Sequence, residues 1–268
     1  MKLYENMTGS EKARWYTAGA KFYAEGRPAY PQALVAAVAS VVGWQKNSHV
    51  LEIGSGSGTA TVDFIRLGGS ILCVEPNAEF VSIAQRALRD FPEVNFHTST
   101  LEEASFSRKF DIVLAASSFH WVDPIRGVEA LRKAIRPKGF VVLLWNKEPE
   151  PIAEQADAVI DAFRQSGYAY PIRSQSREET AKVFWELSQP LRAERFAEKL
   201  FCHTPTSDDY SVERFVALHH SLSPFLALVP EKQKDVAAKL TEYLRMLVGP
   251  TIRTIRLSAG HIFQVEPY

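Results

Sequence analysis

The sequence predicts an α/β fold, a mostly parallel sheet with helices on both faces. Three observations carry this. Strand and helix patterns alternate through the first half with short loops between them. A glycine-rich turn, Gly54-Ser55-Gly56-Ser57-Gly58, leaves an apolar strand and enters a helix. An acid, Glu75, ends the strand that follows.

The first strand is read at residues 50–53. A helix follows at 59–67 and stops at Gly68-Gly69, a common helix C-terminal signal. The second strand covers 71–75, after which Pro76-Asn77 opens a helix with Asn77 as N-cap. Phe80, Val81, Ala84, Ala87 and Leu88 give that helix an apolar face. Strands are expected at 94–97 and 110–116. Asp123-Pro124 starts the next helix, which turns Val128, Leu131 and Ile135 inward and ends at Pro137-Lys138-Gly139. A fifth strand covers 140–145. Beyond it, helices are expected at 152–166, 176–188, 211–222 and 231–247, a strand at 197–203, and one or two strands within 251–265. Val236, Leu240, Tyr243, Leu244 and Leu247 give the last helix its apolar face. This divides the chain into an N-terminal helical segment (1–40), a sheet core (41–150) and a C-terminal part (151–268) in which a helical cap precedes the final strands.

The 268 residues suffice for one large domain, or a main domain with an insert. Apolar residues make up 46% and charged residues 23%, with a formal net charge of zero, so no strong field for nucleic acid or an anionic membrane is expected. Cys73 lies in the apolar run Ile71-Leu72-Cys73-Val74, and with Cys202 alone beside it there is neither a disulfide framework nor a zinc site. No apolar run approaches the ~20 residues of a membrane span. The N-terminus lacks the apolar stretch of a signal peptide. A cytoplasmic protein in a reducing compartment is the expectation.

Glycines in the 54–58 turn let the backbone approach a ligand closely, because no Cβ intrudes. Their spacing is G-x-G-x-G, whereas the dinucleotide fingerprint is G-x-G-x-x-G, and position 59 is Thr59. Glu52, two residues before the first glycine, would repel a pyrophosphate and suits a ligand with an ammonium group. Glu75 stands where an acid accepts hydrogen bonds from ribose hydroxyls. Together they describe an adenosine ligand that carries positive charge and no pyrophosphate, as S-adenosylmethionine (SAM) does. The plain alternative is a structural turn flanked by two surface acids. An NAD(P)-dependent oxidoreductase on the same sheet is a second alternative, and a non-catalytic SAM-binding module a third.

The block Glu52-Ile53-Gly54-Ser55-Gly56-Ser57-Gly58 resembles the first motif of class I SAM-dependent methyltransferases, and Glu75 is similar to their ribose-binding acid. Phe110 to Ala116 looks like their fourth-strand motif, and Arg136-Pro137-Lys138-Gly139-Phe140 like the turn before strand five. Phe119-His120-Trp121-Val122-Asp123-Pro124, Trp145-Asn146, and Tyr23 with Arg27-Pro28-Ala29-Tyr30-Pro31 resemble a bacterial subset related to trans-aconitate methyltransferases. The resemblance covers residues 20 to 146 well. It implies a Rossmann-like seven-stranded sheet with the last strand antiparallel, and SAM as cofactor with S-adenosylhomocysteine as product. It implies cofactor contacts from Glu52, Gly54, Ser55, Gly56, Gly58, Thr59, Glu75, Pro76 and Ala116. Thr100, Leu101 and Glu102 would lie about the adenine, with Tyr23 and Arg27 in a lid.

The expected partner is a small-molecule acceptor, with a carboxylate among the candidates because it needs no general base. His120 and Trp121 follow strand four, where ligands bind in open α/β sheets, and are the candidate catalytic residues. Tyr30, Phe119, Trp145 and His219 join them as candidate pocket residues. The plain readings are that His120 caps a loop, that Tyr30 packs on the following helix, and that one of His219-His220 is merely solvated. Arg27, Arg253 and Arg256 could read an acidic acceptor. No metal is expected, since His-Glu-x-x-His, Cys-x-x-Cys and phosphate-loop patterns are absent from the sequence. Nucleic-acid methylation is disfavoured, because Ala116-Ser117-Ser118-Phe119 stands where an Asn/Asp-Pro-Pro-aromatic motif would.

Overall fold

Parallel strands joined by helices set the architecture, seen in a computed structural model that describes residues 15–171, 175–194 and 196–266. In chain order the elements are α1 (Ala20–Gly26), α2 (Gln32–Val42), β1 (His49–Ile53), α3 (Thr59–Ile65), β2 (Ser70–Val74), α4 (Ala78–Ala87), β3 (Val94–His97), β4 (Phe110–Ala116), α5 (Arg126–Ala134) and β5 (Ile135–Asn146). The second half adds β6 (Glu150–Pro151), α6 (Ala153–Gln165), α7 (Arg177–Glu186), α8 (Gln189–Ala193), β7 (Phe196–Ser211), α9 (Val212–His220), α10 (Ser223–Leu226), α11 (Pro230–Leu247) and β8 (Thr251–Val265). Contacts divide the chain into a sheet unit (Ala29–Lys147, Ser176–Thr204 and Leu257–Tyr268) and a helical unit (Met1–Pro28, Glu148–Gln175 and Pro205–Arg256). Residues 1–14 of the segment read as N-terminal lie outside the described residues.

In the sheet unit the strand order is β3-β2-β1-β4-β5-β8, and β7 also pairs with β8. The first five strands are parallel, with Val50 facing Ile71 on one side and Ile112 on the other. Strand β8 runs antiparallel to β5, Phe140 opposite Gln264. The two-residue β6 pairs with β8 at Thr254 and Ile255 and brings the count to eight. The chain order turns back between β1 and β4, so the crevice at their carboxyl ends is where this architecture binds ligands.

Alternation along each strand serves two covered faces. Leu51, Ile53, Val113, Ala115, Val141 and Leu143 pack with Val128 and Leu131 of α5 and with Phe184 and Leu191. Val50, Ile112, Leu114, Val142 and Leu144 pack with Leu34 and Val38 of α2, Phe64 of α3 and Ala84 of α4. Each such large side chain contributes roughly 1.5–3 kcal/mol by leaving water.

Two expectations need correction. Helix α5 ends at Ala134, and Ile135 already pairs with Phe110 in β5. Pro137 forces the residue before it out of helical backbone, so the helix stops short. The strand expected at 197–203 is part of the sixteen-residue β7. Of the one or two strands expected within 251–265, the structure has one.

The helical unit has its own core, where Val159 and Phe163 of α6, Val212, Phe215 and Leu218 of α9, and Leu240 and Leu244 of α11 pack together. Helix α1 lies flush on α9, since a Cβ at Gly26 would come 2.3 Å from the Leu218 backbone nitrogen. Among the described residues no helix is long and apolar enough to cross a membrane.

Candidate functional site

Strand β1 delivers the chain into the glycine loop at the carboxyl edge of the sheet. Gly54 has φ +63°, and a Cβ there would lie 2.6 Å from Ser118 Cβ, so only glycine fits. Its N–H donates to Val74 O at 2.7 Å. Ser118 returns the contact by donating its hydroxyl to Ile53 O, which latches the loop after β4 to the end of β1. Gly56 has φ +55°, and a Cβ there would meet nothing within 4 Å. The loop therefore keeps one open, side-chain-free face. Gly58 leads into α3, where the Thr59 hydroxyl pairs with Ser57 Oγ at 3.1 Å. Ser55 is buried, and its hydroxyl finds no partner among the described residues.

Glu75 follows β2 and is buried. Its Oε2 accepts the Gly56 N–H at 2.9 Å and its Oε1 accepts the Asn77 N–H at 2.9 Å. Burial raises its pKa, while the two backbone bonds pull the other way. Each oxygen keeps a second lone pair for a further donor. Pro76 follows, and Asn77 caps α4 as expected, accepting the Glu79 N–H at 3.0 Å.

Glu52 is placed differently from its expectation at the mouth of the loop. It is 0% exposed, because its place in β1 puts it on the face covered by α2, α3 and α4. Its Oε2 accepts the Thr61 hydroxyl at 2.7 Å, and Oε1 has no partner among the described residues. Burial, the largest cause, pushes its pKa up to about 7; the Thr61 and Cys73 bonds oppose this, and the Glu75 charge adds to it. Glu52 therefore underlies the loop and offers no carboxylate to its surface.

After β3, Thr100 accepts the Glu103 N–H at 3.3 Å and Leu101 is buried. Glu102 accepts the Asp123 N–H at 2.8 Å, which ties this loop to the approach of α5.

At the end of β4, half-buried Ala116 is followed by Ser117 at φ +54°, left-handed backbone that is uncommon outside glycine. Ser117 Oγ pairs with the Tyr30 hydroxyl at 3.0 Å and accepts the Asn146 N–H at 3.3 Å. Asn146 Oδ1 in turn accepts the Ser258 hydroxyl at 2.5 Å. Ser117 and Ser258 were missed in the sequence: nothing in a Ser-Ser pair announces left-handed backbone, and Ser258 comes from a distant strand. Phe119 is buried, His120 exposed and Trp121 half-buried. The His120 ring lies 5.3 Å from Trp121 and 5.9 Å from Trp145, and Trp145 is buried and stacked on Phe184 at 6.1 Å. The sheet unit thus gathers the glycine loop, Glu75, Tyr30, Phe119, His120, Trp121 and Trp145 at its carboxyl edge.

Tyr23, Arg27 and His219 belong to the helical unit. Arg27 donates from Nη1 to Glu148 Oε1 at 2.9 Å and lies 4.7 Å from the Tyr23 ring centroid. Burial works against its charge, but the Tyr23 phenol and Glu148 overcome it and raise its pKa. The expectation of a solvated histidine in the pair fails: His219 is 0% exposed and His220 is 9% exposed, the latter stacked on Phe22 at 3.8 Å. Helix α9 is covered on both sides along its second half, so the consecutive positions 215–220 are all buried. Arg253 pairs with Asp209 at 3.2 Å, and Arg256 pairs with Asp208. Among the described residues no group of three or more His, Cys, Asp or Glu is placed to hold a metal.

Comparison with known proteins bears on this arrangement. The methyltransferase domain family matches residues 51–141, the stretch from β1 into β5. An uncharacterized methyltransferase of Mycobacterium tuberculosis is 30% identical over 132 residues. That match covers 48% of this chain and 50% of the relative, so the chain spans about half the length of the mycobacterial relatives it matches. A methyltransferase-like protein of Schizosaccharomyces pombe is 24% identical over 84% of each chain. A candidate type II methyltransferase of Anaeromyxobacter dehalogenans has the same fold, with TM-score 0.65 at 21% identity over 90% of this chain and 99% of its own. The stretch from β1 into β5 is therefore similar to a methyltransferase domain that begins in the strand feeding the glycine loop, and the chain shares its fold with a methyltransferase-like neighbour.

Proposed function

We propose that the protein transfers a methyl group from SAM to a small-molecule acceptor at the carboxyl edge of its sheet unit. One observation carries the reading: the open face of Gly56 stands beside Glu75, which is bonded to the Gly56 N–H and keeps lone pairs to spare. That pairing fits an adenosine with free ribose hydroxyls. Glu75 would accept those hydroxyls, and Gly54, Ser55 and Gly56 would leave room for the amino-acid tail. Gly58, Thr59 and Pro76 would shape the same cradle, with Ala116 at its edge. Thr100, Leu101 and Glu102 would bound the adenine, Leu101 as an apolar wall. Tyr23 and Arg27 lie in the helical unit and are not assigned to this cradle.

When bound, SAM supplies a methyl group already activated by the positive sulfonium. The protein's part is to align the acceptor and exclude water. Tyr30, held by Ser117, would fix one side of the acceptor pocket. Phe119, Trp121 and Trp145 would give it an aromatic lining. His120 would orient the acceptor, and for a hydroxyl or an amine it would take up the proton. The narrower likeness to trans-aconitate methyltransferases rests on the His120-Trp121 block. Unpaired Cys73 and Cys202 support a cytoplasmic setting.

Calorimetry with SAM and with S-adenosylhomocysteine tests the reading. Saturable binding that Gly56→Val abolishes is expected; no binding at millimolar SAM would overturn it. A mass-resolved screen with labelled SAM then finds the acceptor, taking carboxylic acids first and phenols and amines beside them.

A further inference from the structure

The core of the helical unit holds polar atoms that the glycine loop does not use. Arg27 Nε, both ring nitrogens of His219 and the hydroxyls of Tyr168 and Tyr170 are buried there with no partner among the described residues. They converge. The His219 ring lies 4.7 Å from Phe163, 4.6 Å from Phe215 and 5.5 Å from Tyr170, centroid to centroid. Tyr168 and Tyr170 lie 6.2 and 5.0 Å from Phe163. Arg27 enters from the end of α1, which is flush on α9 at Gly26. Its charge reaches His219: burial first, and the Arg27 guanidinium second, push the His219 pKa down to about 3.

The tyrosines give the direction. Both residues are partly exposed, yet both hydroxyl oxygens are buried. A tyrosine at a surface ordinarily turns its hydroxyl out to water and its ring inward. Here two of them do the reverse, and aim polar ends at an aromatic interior. Leaving a buried polar group unpaired costs about 1–3 kcal/mol, so several in one interior mark a place shaped for a polar guest.

The chemistry of the guest follows from the charges. Arg27 is already paired with Glu148, His219 is neutral, and burial holds the tyrosines protonated, Tyr168 up to about 12. Glu150 also acts on Tyr170. A carboxylate would meet no net opposite charge. A neutral aromatic with hydroxyl groups would meet rings on its faces, donors in Arg27 Nε–H and the His219 N–H, and an acceptor in the other His219 nitrogen.

We propose that the helical unit binds a neutral hydroxylated aromatic, a phenol or catechol, through His219, Arg27, Tyr168 and Tyr170. This site lies within the helical unit and does not rest on the function proposed above. The test is calorimetry on the full chain with catechol and with benzoate, S-adenosylhomocysteine being titrated separately. Catechol should bind saturably and at least about tenfold more tightly than benzoate. His219→Phe, which keeps a ring and removes its nitrogens, should weaken catechol about tenfold and leave S-adenosylhomocysteine binding intact. Tyr170→Phe should weaken catechol several-fold, and decides alone if His219→Phe fails to fold. Tighter binding of benzoate, no catechol binding by a chain that binds S-adenosylhomocysteine, or an unchanged catechol affinity in the folded variants would overturn the proposal. Catechol binding without S-adenosylhomocysteine binding would uphold this site and overturn the methyltransferase reading.

Discussion

The glycine loop of the sheet unit and the core of the helical unit solve opposite problems. Around the loop, backbone and side chain answer each other: Glu75 holds the Gly56 and Asn77 N–H groups, and Ser118, from the end of β4, holds Ile53 O. In the helical unit Arg27, His219, Tyr168 and Tyr170 leave polar atoms unanswered, though they come from segments far apart in the chain. The difference separates a frame in which most polar groups hold its shape from an interior in which several find no partner among the described residues. It also separates what a sequence shows from what it hides.

The sharpest way to break this contrast is at the frame. Gly54→Ala puts a Cβ against Ser118 in left-handed backbone. It should cost about 3 kcal/mol in urea unfolding and weaken S-adenosylhomocysteine at least about a hundredfold by calorimetry. A variant as stable and as tight-binding as the parent would show that the loop is not held as described.

The orphaned carboxylate oxygen of Glu52 gives the next test. The Glu52 pKa stands at about 7 in the folded chain, above its ordinary 4.5. The folded state thus holds a proton that the unfolded state has released. Its contribution to stability is present below pH 4.5 and is lost as pH rises through 7. Glu52→Gln should remove up to about 3 kcal/mol of that decline. Unfolding free energies measured from pH 5 to pH 8 should therefore fall less steeply in the variant; parallel curves would place Glu52 elsewhere.

Glu75→Gln is expected to be milder on stability, because the amide oxygen can still accept one N–H. Losing charge-assisted bonds to ribose hydroxyls should weaken S-adenosylhomocysteine by roughly 1.5–3 kcal/mol in calorimetry. Unchanged affinity would move the ribose away from Glu75. The smallest structural effect is expected at exposed His120. His120→Ala should shift stability by no more than about 0.5 kcal/mol, while turnover of a hydroxyl acceptor falls about a hundredfold or more and that of a carboxylate little.

The strand-turn-helix with its glycines, the acid after β2 and the Asn77 cap were legible because each is a local event within about twenty residues. Glu52 was misplaced for a tertiary reason. A carboxylate in a strand next to a glycine turn reads as a rim residue until the covering helices are known. The expectation of one solvated histidine in the His219-His220 pair failed in the same way, since helical spacing cannot tell a helix enclosed on both sides from one with a wet face. The early end of α5 was readable, because Pro137 forbids helical backbone at the residue before it. Left-handed Ser117 was not, because the strain there is imposed by contacts with Tyr30 and Asn146 from other parts of the fold.

The placement of His120 between two indoles gives the molecule a built-in optical gauge. A protonated imidazole quenches nearby indole emission, and Trp121 and Trp145 lie 5.3 and 5.9 Å away. A fluorescence titration against acidity, compared with that of His120→Ala, would isolate the emission change that this histidine causes among the five tryptophans. Repeating it with a bound acceptor would reveal whether that charge changes hands, without any turnover being measured.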